Sequence, residues 1–198
     1  LRVLGNSFID NGLDCIQFGG VTGGAAIGNR MRRTGYIPAD HTADVSTSNI
    51  GVPKWLTNAY AVALDTSGVC KNVTYGNNSM ISTNGGDIDA DGFCDGSIVG
   101  NVSFTPRSYD PEYTEDSISI SGPSADGNTW AYGCQPSNTY GLQWGGVNIN
   151  ITGNSFVNKD GGAIRLGCSR NCYVSSNNIN HPAAAHYPPI ILFNISTA

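Results

Sequence analysis

Gly153-Asn154-Ser155-Phe156, followed six residues later by Ala163-Ile164-Arg165-Leu166 and then by Asn177-Asn178-Ile179, is the stretch whose reading decides the fold. Ile164-Arg165-Leu166 alternates apolar and polar residues, the period-2 pattern of a strand with one buried face. The first motif also stands near the start of the chain, as Gly5-Asn6-Ser7-Phe8. Looser copies are Gly28-Asn29-Arg30-Met31, Asn77-Asn78-Ser79-Met80 and Asn101-Val102-Ser103-Phe104. In three copies an Ile follows the large apolar residue by eight positions: Phe8 to Ile16, Met80 to Ile88 and Phe156 to Ile164. Asn78 to Val102 and Asn154 to Asn178 each span 24 residues, which sets the period. A repeat of that length, made of short strands and Gly/Asn turns, cannot bury its apolar face alone, so successive copies must stack.

Six such turns fit the 198 residues. The expected fold is all-β, a single domain over 1–198. It is a parallel β-helix solenoid of about six coils with long insertions at 32–59 and 105–139. Stacking turns the alignment into columns. Phe8, Met31, Met80, Phe104, Phe156 and Ile179 are expected to form one buried column. Ile16, Val62, Ile88, Leu142, Ile164 and Ile191 form another. Asn6, Asn29, Asn78, Asn154 and Asn177 form an amide ladder, interrupted at Val102.

Composition agrees. There are 26 Gly, and only 13% of residues are charged, which argues against a helical bundle. A net charge of −5 speaks against a nucleic-acid partner, because phosphate binding needs a basic face. No apolar run approaches the roughly 18 residues of a membrane span. Six Cys and the sequons at Asn72, Asn77, Asn101, Asn150 and Asn194 point to an extracellular or cell-surface protein. Cys70 and Cys94 lie 24 residues apart, hence on adjacent coils, at a separation a disulfide can span. Cys168 and Cys172 are expected to close a small loop, which leaves Cys15 for Cys134.

Segments 1–18, 61–104 and 141–193 resemble the right-handed parallel β-helix, or pectin-lyase-like, superfamily. The resemblance rests on the Gly-Asn-Ser-Phe element followed by Gly-Gly-Ala-Ile-Arg-Leu. It implies a right-handed coil and, for the enzymes of that group, polysaccharide chemistry on one strand face. Lyases of the group hold calcium against a uronate with acidic residues and use Arg or Lys as base; hydrolases use grouped Asp residues as acid and base. Here Asp65, Asp87, Asp89 and Asp91 are expected to gather on two adjacent coils, with Arg165 two coils above Asp89. Asp65, Asp87, Asp89 and Arg165 are therefore the candidate catalytic set. Leu13-Asp14-Cys15-Ile16 is faintly similar to a hydrolase Asp-Asp-Cys-Ile element. The sequence lacks the Gly-His-Gly, Arg-X-Lys and paired-Arg motifs of the group.

Asp87-Ile88-Asp89-Ala90-Asp91-Gly92 with Asp95 also matches the opening of an oxygen-ligand calcium loop, with Asp87, Asp89, Asp91 and Asp95 as ligands. Calcium is the expected cofactor, and no organic one is indicated. Both ends look uncapped. Leu1 to Leu4 and Ile191 to Ile195 read as core strands, although a solenoid's outer coils need covering. The missing catalytic motifs and the open ends favour a structural role over an enzymatic one. The protein is expected to stack end to end with copies of itself, or to form a segment of a longer solenoid. The alternatives are a polysaccharide lyase or glycoside hydrolase using the Asp face, and a glycan-binding adhesin using Trp130, Tyr132, Tyr140 and Trp144.

Overall fold

The computed structural model describes residues 1–12, 14–35, 62–67, 69–83, 86–104, 117–120, 146–157, 162–167, 169–180 and 188–193. Their strands build four parallel sheets. The first sheet stacks Arg2–Leu4, Ala25–Ile27, Thr74–Gly76, Ser97–Val99, Asn150–Thr152 and Tyr173–Ser175. The second stacks Ser7–Ile9, Arg30–Arg32, Ser79–Ile81, Val102–Phe104, Ser155–Val157 and Asn178–Asn180. The third stacks Ile16–Gly19, Leu64–Ser67, Ile88–Ala90, Ile118–Ile120, Ile164–Gly167 and Ile190–Phe193. The fourth is shorter: Cys70–Lys71, Phe93–Cys94, Gly146–Val147 and Ser169–Arg170. In each sheet the strands follow chain order, and neighbours pair in parallel. The chain therefore climbs one strand spacing per turn, through six coils. This is the parallel β-helix.

Two inward columns carry much of the core. Phe8, Met31, Met80, Ser103, Phe156 and Ile179 stand in register on the second sheet. Ile16, Leu64, Ile88, Ile118, Ile164 and Ile190 do so on the third. Phe18, Tyr75 and Phe93 stack between sheets, with ring centroids 5.9 and 5.7 Å apart. The Tyr75 hydroxyl is satisfied by the main-chain carbonyl of Asp65 at 2.6 Å.

The corner between the first two sheets is the most regular part of the molecule. Gly5, Gly28, Asn77, Gly100, Gly153 and Ser176 all have φ between 52° and 67°. Each is followed by an Asn whose side chain points along the axis. The Oδ1 of Asn29 accepts from both the N–H and the Nδ2 of Asn6, at 2.9 and 3.1 Å. The same two-bond step runs from Asn29 to Asn78, Asn78 to Asn101, Asn101 to Asn154 and Asn154 to Asn177. Each second amide proton goes to a main-chain carbonyl, as from Asn78 to Ala26 at 2.9 Å. Buried backbone and amide groups at a left-handed turn thus satisfy one another without water.

The structure corrects the expected alignment at several points. The ladder is unbroken, because Asn101 and not Val102 is its fourth rung. Ser103 consequently takes the core position, and Phe104 faces outward, 39% exposed. Leu64 replaces Val62; the two share a strand face, so the alternation fits either. Ile190 replaces Ile191, since four consecutive apolar residues carry no alternation to fix the phase. Ile118 holds the place expected for Leu142, which lies outside the described residues. The segment 105–139 is therefore not one insertion but contains a core strand.

The cysteines differ too. Cys70 pairs in register with Phe93, and Cys94 with Lys71, one residue away from the alignment a bridge requires. Cys94, Cys15 and Cys172 are free thiols, so none of the three expected disulfides forms; Cys134 and Cys168 lie outside the described residues. Cys70 Sγ instead donates to the carbonyl of Phe18 at 3.2 Å. Burial pushes the Cys94 thiol up to about 11, with the Asp95 charge adding to it.

Candidate functional site: the outer face of the third sheet

Alternation sends every second residue of the third sheet outward. The column so formed reads Gln17, Asp65, Asp89, Ser119, Arg165 and Ile191. Asp65 and Asp89 are direct neighbours on strands about 4.8 Å apart. Arg165 is two coils from Asp89, with Ser119 between them. Asp89, Ser119 and Arg165 are half-buried, while Asp65 is only 9% exposed.

That burial governs the chemistry of Asp65. Its pKa is pushed up from 3.8 to about 6, chiefly by desolvation. The nearby Asp14 carboxylate pushes in the same direction, and a hydrogen bond from Gln17 Nε2 to Asp65 Oδ2 at 2.5 Å opposes it. Asp14 is itself raised by burial, although it accepts from the Val62 N–H at 2.7 Å. Asp65, with a pKa raised to about 6, thus stands one strand from Asp89 on the same outer face. Two carboxyl groups on neighbouring strands suit hydrolysis of a glycosidic bond.

The other expected members lie elsewhere. Asp87 is fully buried and points into the core, where its Oδ2 accepts from Ser103 Oγ at 2.5 Å. Asp91 lies in the following turn, and its carbonyl accepts from Thr66 Oγ1 at 3.1 Å. Asp95 is exposed at the next corner, held by Asn148 Nδ2 at 2.7 Å. The four Asp of the expected calcium loop are therefore spread over the inside, the outer face and two turns. Among the described residues no group of three His, Cys, Asp or Glu side chains converges as a metal site. Sequence reasoning missed Asp14 and Ser119 as members of this surface. The Asp14-Cys15-Ile16 element was the available signal for the first, and the Ile-Ser-Ile alternation at 118–120 for the second.

Of the sequons, Asn72, Asn77 and Asn150 are exposed. Asn101 is completely buried, and its amide nitrogen makes two hydrogen bonds, to Tyr75 and Asn154. It is not a glycosylation site of the folded protein. Asn194 and the aromatics Trp130, Tyr132, Tyr140 and Trp144 lie outside the described residues.

No protein-family model matches the chain. No curated protein matches it either. Among solved structures it is similar to PfbA, a surface adhesin of Streptococcus pneumoniae, at 14% identity and a TM-score of 0.59. The match covers 96% of this chain and 52% of that one, so the chain spans about half the length of PfbA. At this identity the likeness is one of fold.

Proposed function

We infer that this chain is a structural β-helix of an extracellular, cell-surface protein, a stiff scaffold. The unbroken amide ladder from Asn6 to Asn177, which ties six coils along one line, supports the reading. The extracellular assignment draws on the sequence composition and on the fold shared with a surface adhesin. Hydrogen exchange tests the reading. The amides of Asn29, Asn78, Asn101 and Asn154 should exchange only through global unfolding. Fast local exchange along the ladder defeats it.

A second reading rests on the pairing of Asp65, its pKa near 6, with Asp89. In this reading the outer face of the third sheet cleaves a polysaccharide. Asp65 is the acid that protonates the leaving group and Asp89 the nucleophile, the roles that carboxyl groups on neighbouring strands can share. Release of reducing ends from an acidic polysaccharide, lost by about a hundredfold or more in Asp89→Ala, is the expected result. No release from a broad polysaccharide panel leaves this face without catalytic work.

A further inference from the structure

We propose that the corner between the second and third sheets, at the level of the third and fourth coils, holds a monovalent alkali cation inside the solenoid. Its ligands are the Asp87 carboxylate and the hydroxyls of Ser103 and Ser117, with Thr83 beside them.

The corner is polar where the core around it is apolar. The residues just before the third-sheet strands form one column: Cys15, Ala63, Asp87, Ser117 and Ala163. Their carbonyls from Ala63 onward accept from the N–H groups of Ile16, Leu64, Ile88 and Ile118 in turn, at 2.8 to 3.2 Å. Asp87 and Ser117 are therefore neighbours on adjacent coils, about 4.8 Å apart along the axis. Both are completely buried. Ser103 faces them from the second sheet. It stands between Met80 and Phe156 and takes up less of the interior than either. Its Oγ donates to Asp87 Oδ2 at 2.5 Å and keeps its lone pairs.

A second observation marks the place. Among the described residues, Ser117 Oγ and Thr83 Oγ1 are buried atoms with no hydrogen-bond partner. Ser117 is 0% exposed and Thr83 is 1% exposed. Thr83 follows the left-handed Ser82 as Thr34 follows the left-handed Arg33 one coil below. Thr34 Oγ1 lies 3.2 Å from Cys15 Sγ, so this position faces the column that contains Asp87. Native interiors satisfy a buried hydroxyl with a protein group, a water or an ion. Carboxylate and hydroxyl oxygens are hard donors, the set that hard cations take. A cation beside a buried carboxylate also supplies the charge pairing that water does not. These donors carry one negative charge, whereas calcium sites gather several carboxylates, so a singly charged ion fits.

Thermal unfolding of the full chain in sodium, potassium and choline chloride tests this, after purification without either alkali ion. Equal ionic strength removes general screening from the comparison. The midpoint should rise with the logarithm of the alkali-ion concentration and stay flat in choline, because a ligand of the folded state alone stabilises it by mass action. Asp87→Asn should abolish the response. Ser117→Ala should raise the ion concentration needed by about tenfold. Without an ion, deleting an unpartnered buried hydroxyl leaves the midpoint unchanged or higher in all three salts. Should Asp87→Asn fail to fold, Ser117→Ala decides. Equal midpoints in alkali and choline salts, a response that Ser117→Ala leaves intact, or a rise with calcium chloride alone overturns the proposal.

Discussion

Asn78→Ala should lower the unfolding free energy by about 4 kcal/mol, the sum of two or three buried groups left without partners at about 1–3 kcal/mol each. Asn78 sits in the middle of the ladder and is 1% exposed. Its Oδ1 accepts from the N–H and Nδ2 of Asn29, and its Nδ2 donates to Ala26 and Asn101. Alanine removes all four bonds and leaves the N–H and one amide proton of Asn29 buried with nothing to replace them. The left-handed residue before it, Asn77, loses the rung that holds the turn. Denaturant unfolding measures the loss, with an unchanged m-value showing that stability alone has moved. A loss below about 1 kcal/mol, the net worth of one ordinary hydrogen bond, means that water enters the corner and the ladder is not what holds the coils in register.

Asp65→Asn should make the protein more stable above pH 6 and flatten its pH dependence. The folded-state pKa of Asp65 lies near 6, above its ordinary 3.8. Between these values the folded protein binds more protons at this site than the unfolded chain does. Stability therefore falls as pH rises through the window, by about 2–3 kcal/mol for a shift of this size, and stays low above it. Asparagine has no charge to desolvate and can still accept from Gln17. Unfolding curves at pH 4, 5, 6, 7 and 8 should show the wild type declining toward pH 6 and the variant missing that part of the decline. Equal slopes in the two proteins would place the pKa of Asp65 near its ordinary value and remove the electrostatic basis of the catalytic reading.

Coil number, the parallel arrangement and two core columns were legible because Gly-Asn-Ser-Phe repeats with its spacing intact where coils carry no insertion. The errors cluster where a single signal was ambiguous. Asn101-Val102-Ser103-Phe104 pairs a ladder Asn with a serine in the core, and Phe104 drew the alignment one residue off. Ile118-Ser119-Ile120 is a perfect but short alternation, set among residues that offer no spacing to count. For the site, Asp65 and Asp89 were found on the right surface. Their register was not, because placing Leu64 rather than Val62 in the core column shifts the strand by two residues and changes which Asp faces which. The inward turn of Asp87 had no sequence signal, since its partner Ser103 had been assigned outward. The cysteine pairing failed for a similar reason. A spacing of 24 matches the average coil, but the coil between Cys70 and Phe93 is 23 residues long.

The burial of Asn101 bears on how the molecule can be manufactured. Eukaryotic secretory cells transfer oligosaccharide to Asn-X-Ser while the polypeptide is still threading into the lumen, before any coil has closed. At that moment Asn101-Val102-Ser103 is as open to the transferase as any other acceptor. A sugar attached there would occupy the nitrogen that the fourth coil needs for Tyr75 and Asn154, and would have to be housed in the core. Such a chain cannot complete its turn. A cytoplasmic bacterial host, with no such transferase, is the sound source of recombinant material.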